Sequence, residues 1–302
     1  MEISIALGGG GSRGYSHIGV LRRLEQAGLQ ICAIAGTSAG AIIGTCYAAG
    51  YTPDEIEAAF LKVDQTKLFA RSAHEGPGLL GLSVAEELMT EFLGGKTFAD
   101  LKIPCGVVAV DIKSGREIIL NQGSVVEAVL ASIAIPGVFP PRTIGEYQLV
   151  DGGVLDPVPC SVARSLAPRM PMVAVILDPV IIVRSEFMQI PMPVPIPVLT
   201  PIIQQLTRTR IAQAFNIFLQ SVDVASRRMA EMRLEEDDPD VVIRPNVDGV
   251  GLLDKVDVHS IVQLGEQATA EALPKLKRAV AWPNRLRRWL FPFRISIRRL
   301  HT

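Results

Sequence analysis

Two hydrophobic periods succeed one another along the chain. Glu2–Leu7 alternates and then turns apolar, which predicts a first strand stopping at Gly8-Gly-Gly-Gly-Ser-Arg-Gly14. Ile18, Leu21, Leu24 and Ala27 then recur at helical spacing, with Gly28 suited to end the helix. Ile31–Ala35 is an apolar run too short for a helix and reads as a buried strand, with Ala39–Ala49 as the helix after it. Strand, glycine-rich turn, helix, strand, tight turn, helix is the order of parallel strands with crossover helices, so the fold class is α/β.

Further along, Pro53–Lys62 predicts an amphipathic helix opened by Thr52, and Ser83–Leu93 another, capped by Ser83 with Glu86 three residues on. Pro104–Val110 predicts a buried strand, and Asp111 a turn residue leading into Arg116–Leu120. Ser124–Ser132 reads as a helix stopped by Pro136-Gly137, and Arg142–Val150 as a hairpin turning at Gly145-Glu146. Met172–Leu177 and Val241–Arg244 predict the last strands, Leu206–Leu234 a long helix and Val258–Val280 a closing one. Phe187–Thr207 carries no charge and is long enough to span a bilayer, but five prolines between Pro191 and Pro201 would break a lipid-exposed helix. An extended apolar flap over 185–207 fits better, either as a lid or acyl-chain wall or as a surface packed on the core or on another copy.

Composition narrows the class. With 302 residues, 48% of them hydrophobic, and a mean hydropathy of +0.31, a large core is available. The expected organisation is one domain over 1–280 and a tail over 281–302. The N-terminus shows no basic region before its apolar run, and four scattered cysteines show no metal-ligand spacing, so a cytoplasmic protein is expected. Residues 281–302 hold six arginines and no acid, leaving 24 basic against 31 acidic residues in the rest. Trp282, Leu286, Trp289 and Leu290 recur at helical spacing among those arginines. This predicts that 282–300 docks on an anionic membrane surface, peripheral to the inner face, and is too apolar for nucleic acid; a tail packed on the core is the alternative.

Candidate chemistry centres on Gly36-Thr-Ser38-Ala-Gly40, where a serine at a tight strand-to-helix turn would present its Oγ out of the sheet. The helix N-terminus behind it favours a negatively charged oxygen. Gly9-x-Gly11-x-x-Gly14 also fits a dinucleotide fingerprint, but the second strand ends in Ala35-Gly36, without the acidic residue a ribose needs. A cradle of backbone amides beside Ser38, an oxyanion hole, is the better reading. Arg13 would hold that loop, meet a substrate phosphate or stand as a surface charge. Asp151, at a strand end before Gly152-Gly153, is the candidate base. Of His17, His74, His259 and His301, only the last two follow Asp151 in a Ser, Asp, His order; His259 reads as a helix start and His301 is nearly terminal. A serine with no committed histidine points to a Ser–Asp dyad.

Gly9-Gly-Gly-Ser-Arg-Gly14, Gly36-Thr-Ser-Ala-Gly40 and Asp151-Gly-Gly153, in that order, resemble the three signature motifs of the bacterial patatin-like phospholipases. The likeness extends to Gly19-Val-Leu21, to Ala131–Pro141 and to Pro157-Val-Pro159, over roughly residues 3–180. It implies a three-layer α/β/α fold with a mainly parallel sheet. It also implies a lipid acyl hydrolase of phospholipase A or lysophospholipase type, using neither metal nor cofactor. Motif by motif, Ser38 would be the nucleophile, Asp151 the base, Gly9, Gly10 and Gly11 the oxyanion loop, and Arg13 a substrate contact. Family members usually carry Asn where this chain has Asp156. A general carboxylesterase or thioesterase, or a silent lipid-binding scaffold, remains the alternative.

Overall fold

The computed structural model describes residues 1–65, 78, 80–177 and 201–281, with 201–216 as backbone alone. His74, His301, flap residues 185–200 and the tail 282–300 lie outside the described residues. In chain order the elements are β1 (Glu2–Leu7), α1 (Ser16–Gln26), β2 (Gln30–Thr37), α2 (Ala39–Ala48), α3 (Pro53–Phe60), α4 (Ser83–Leu93), β3 (Cys105–Asp111), β4 (Arg116–Leu120), α5 (Val125–Ser132), β5 (Arg142–Ile144), β6 (Tyr147–Asp151), α6 (Cys160–Leu166), β7 (Met172–Val175), α7 (Pro201–Asp237), β8 (Val241–Ile243) and α8 (Val258–Ala279).

Five strands, β3-β2-β1-β7-β8, pair in parallel, while β4 and β6 run antiparallel to β3 and β5 closes a hairpin on β6. The strand period of two separates two cores. Ile3, Ile5 and Leu7 join one with Ile18 and Leu21 of α1, Ile43 of α2, Leu130 of α5 and Val262 of α8. Ala6, Ala35 and Val108 join the other with Val162 of α6 and Ala230 of α7. Helices on both faces of a mostly parallel sheet make the three-layer α/β/α fold.

One feature of the register builds the site. β4 takes one edge of β3 over Val107–Asp111, so β2 and β6 must follow one another along the other edge. Thr37, the last residue of β2, pairs with Val108, and Asp151, the last of β6, pairs with the next residue, Ala109. The chain ends of two strands about 110 residues apart in sequence therefore meet over a single step of β3.

Several boundaries differ from expectation. The helix expected to run to Lys62 ends at Phe60, although its Thr52–Glu55 capping box is present. Ser83 is the first residue of α4, and Leu82 holds the N-cap position. The last part of the expected flap, 201–207, is helical and opens α7 at Pro201, a position where a missing N–H costs nothing. Asp111 is the expected turn residue, accepting from Ser114 and from the Gln148 amide.

Candidate active site

Ser38 sits between β2 and α2 with φ 53° and ψ −120°, a strained conformation for a residue with a side chain. Its amide donates to Ser132 Oγ at 2.9 Å, and Ser132 Oγ donates to Val108 O at 2.6 Å. Ser132, at the end of α5, thus ties the turn to the β3 residue that pairs with Thr37. A Cβ on Gly40 would lie 2.0 Å from Leu7 O, so only glycine lets α2 start this close to β1. A Cβ on Gly152 would lie 2.3 Å from Val108 O, so the Asp151 loop has the same requirement.

Ser38 Oγ donates to Asp151 Oδ2 at 2.7 Å. The other carboxylate oxygen, Oδ1, accepts the Gly153 amide at 2.7 Å, which fixes the carboxyl plane. Both side chains are buried, Ser38 at 8% and Asp151 at 6% exposed. Burial raises the Asp151 pKa to about 6, against the opposing pull of its bonds from Ser38 and Gly153. At neutral pH the carboxyl is still mostly ionised, but it is a better proton acceptor than an exposed aspartate.

The glycine loop is held from three sides. Gly8 donates to Val175 O and Gly9 to Pro157 O, each at 2.9 Å, and His17 Nε2 lies 2.8 Å from Gly8 O. A carbonyl only accepts, so that nitrogen carries the His17 proton. Burial lowers the ring's pKa to about 4, which keeps it neutral. Of the three glycines expected to offer amides, Gly9 is therefore already engaged, while among the described residues Gly10 and Gly11 have no acceptor. Arg13 is engaged as well: its Nε donates to Val250 O at 2.7 Å and its Nη1 to Asp223 of α7 at 2.9 Å. His259 is remote from this chemistry, on the surface of α8 with Nδ1 2.8 Å from Glu57.

An opening above the pair is lined by Ile135, Val154, Leu177, Val222 and Leu252, with Arg13, Asp223 and Arg227 on one side. Among the described residues no cluster of His, Cys, Asp or Glu is placed to ligate a metal ion. Ser132 and Asp223 carry no sequence expectation, and His17, expected only as a structural residue after the glycine turn, braces that turn. Ser132 left a signal, a lone hydroxyl ending the apolar helix Val125–Ser132; Asp223 left none, since its partner lies 210 residues away.

A strained serine facing a buried carboxylate across one step of a three-layer α/β/α sheet defines a class of protein. Residues 5–164, more than half of the chain, match the patatin-like phospholipase profile, and the chain belongs to that family. An uncharacterized NTE family protein of Mycobacterium tuberculosis is 38% identical over 161 residues, covering 52% of this chain and 44% of that protein. Mouse patatin-like phospholipase domain-containing protein 6 is 30% identical over 180 residues, 55% of this chain and 13% of that one. This chain thus matches less than half the length of either relative. The crystal structure of VipD from Legionella pneumophila superposes with a TM-score of 0.56 at 14% identity, over 90% of this chain and 66% of VipD, which shows the shared fold.

Proposed function

We propose that the chain is a serine lipid acyl hydrolase of phospholipase A or lysophospholipase type, and the 2.7 Å contact between Ser38 Oγ and Asp151 Oδ2 carries that reading. Asp151 takes the Ser38 proton as Oγ attacks the ester carbonyl. The oxyanion that forms meets the Gly10 and Gly11 amides and the N-terminus of α2. Asp151 then returns the proton to the departing alcohol, leaving an ester on Ser38. Water attacks that ester with Asp151 again as base, and the carboxylic acid leaves. Gly9, tied to Pro157, shapes the loop, and Arg13, paired with Asp223, braces the pocket wall.

The apolar lining favours an acyl chain over a polar substrate. An intact serine–carboxylate contact speaks against a silent scaffold; general carboxylesterase or thioesterase action would use the same parts. Docking through 282–300 on an anionic membrane surface belongs to this proposal and would bring the opening to its substrate. Among the described residues no helix is long and apolar enough to cross a membrane.

The test is product analysis of phospholipid vesicles treated with the full chain or with Ser38→Ala. Free fatty acid with matching lysophospholipid is expected from the parent only. Equal products from both proteins, or none from any ester lipid, would overturn the assignment.

A further inference from the structure

Asp156 lies five residues beyond Asp151, in the turn that enters α6. Its side chain is 0% exposed, and among the described residues neither carboxyl oxygen has a well-formed hydrogen bond, the Val158 amide being the backbone donor in reach. Its backbone, by contrast, is engaged on both sides of the site. The Asp156 amide donates to Gly152 O at 2.9 Å, and its carbonyl accepts Thr37 Oγ1 at 2.8 Å. The next carbonyl, that of Pro157, accepts the Gly9 amide. Thr37 precedes Ser38, Gly152 follows Asp151 and Gly9 opens the glycine loop, so all three parts of the site hang on Asp156 and Pro157.

The surroundings suit a neutral carboxyl. From β4, Glu117 faces Asp156; from α7, Arg233 and Asp237, with Glu236 beside them; from α6, Cys160 and Arg164. Arg233 is already committed, donating to Glu117 at 3.0 Å and to Leu155 O at 3.2 Å. Arg164 donates to the carbonyls of Asp237 and Asp238. Among the described residues Arg233 contacts only the Glu117 carboxylate directly, and Asp156 has no ion pair. A buried carboxylate without a partner is costly, so the group holds its proton.

We propose, resting on the Ser38–Asp151 reading, that Asp156 is a positioning residue whose carboxyl must stay protonated, and that its ionisation displaces the turn and switches the site off. Burial first, then repulsion from Glu117, pushes its pKa up to about 8. The switch therefore works at mildly alkaline pH. The effect on stability has a definite sign. Between about pH 4 and pH 8 the folded chain holds a proton that the unfolded chain has released, so stability falls as pH rises through that window and stops falling above it.

The test compares the full chain with Asp156→Asn, following p-nitrophenyl ester hydrolysis and melting temperature from pH 5 to pH 10. The parent should lose rate below about pH 6, where Asp151 takes up a proton, and again above about pH 8, roughly tenfold per pH unit. Asp156→Asn should keep the acid limb, lose the alkaline one, and lack the parent's decline in melting temperature between about pH 6 and pH 8, the decline that Asp151 causes below about pH 6 being common to both proteins. The same alkaline limb and the same melting profile in both proteins would overturn the proposal. Should Asp156→Asn fail to fold, Glu117→Gln removes a like charge and releases Arg233, and the alkaline limb should then move to lower pH; a limb that stays in place overturns the proposal equally. An inactive parent strikes the hydrolase reading instead, and the melting profiles then decide this one.

Discussion

Ser38 combines two unfavourable features, a positive φ and near-complete burial of a polar side chain. Strain of this kind costs about 1–3 kcal/mol. It persists because the surroundings outweigh it: Ile18, Leu21 and Leu24 are each fully buried, and burying such a side chain contributes roughly 2 kcal/mol. The hydrogen bond from the Ser38 amide to Ser132 then selects this conformation over its alternatives. Ser132→Ala leaves that amide and Val108 O without the hydroxyl, a loss of about 1–3 kcal/mol. If it loosens the nucleophile, kcat for ester hydrolysis should fall about 10- to 100-fold with KM nearly constant. Steady-state kinetics alongside thermal melting checks this. A lowered melting temperature with unchanged kcat would reduce Ser132 to a packing residue.

At the scale of elements, what could be read from sequence was what is local. Glu2–Leu7 reads as β1, Val258–Val280 overshoots α8 by a single residue, and Gly145-Glu146 turns the hairpin between β5 and β6. Each is decided by periodicity or by a turn residue within a few positions. The Ser38 turn is equally local, because a short apolar run, two glycines and a helix start lie side by side. The meeting of β2 with β6 is not local. It depends on a shared edge of β3, and nothing within either segment announces that register. Arg13 shows the same limit: its charge is visible in sequence, but its partner Asp223 is brought in by α7. The expected cap at Ser83 is displaced by one residue, the helix boundary falling at Leu82, a difference at the scale on which helix ends fray. Asp156 stands out in sequence only as a departure from the family's Asn; its lack of a partner required the packed structure.

For the whole molecule, the basic tail and the hydrolase domain form one proposal about where the chain works. Six arginines within 281–302, each worth about 1 kcal/mol near an anionic surface, would suffice for reversible docking. Full chain and a chain ending at Ala281 should differ in co-sedimentation with anionic vesicles, the difference shrinking as salt rises. Equal binding by both would remove the tail from the account. The central claim is that Ser38 and Asp151 act as one nucleophile–base unit. Its most direct measurement is labelling of the intact protein by a fluorophosphonate, with the modified residue located by mass spectrometry. The account predicts label on Ser38, none in Ser38→Ala, and labelling slowed about 10³-fold or more in a folded Asp151→Asn variant. Label that persists in Ser38→Ala, or undiminished labelling in Asp151→Asn, would contradict it.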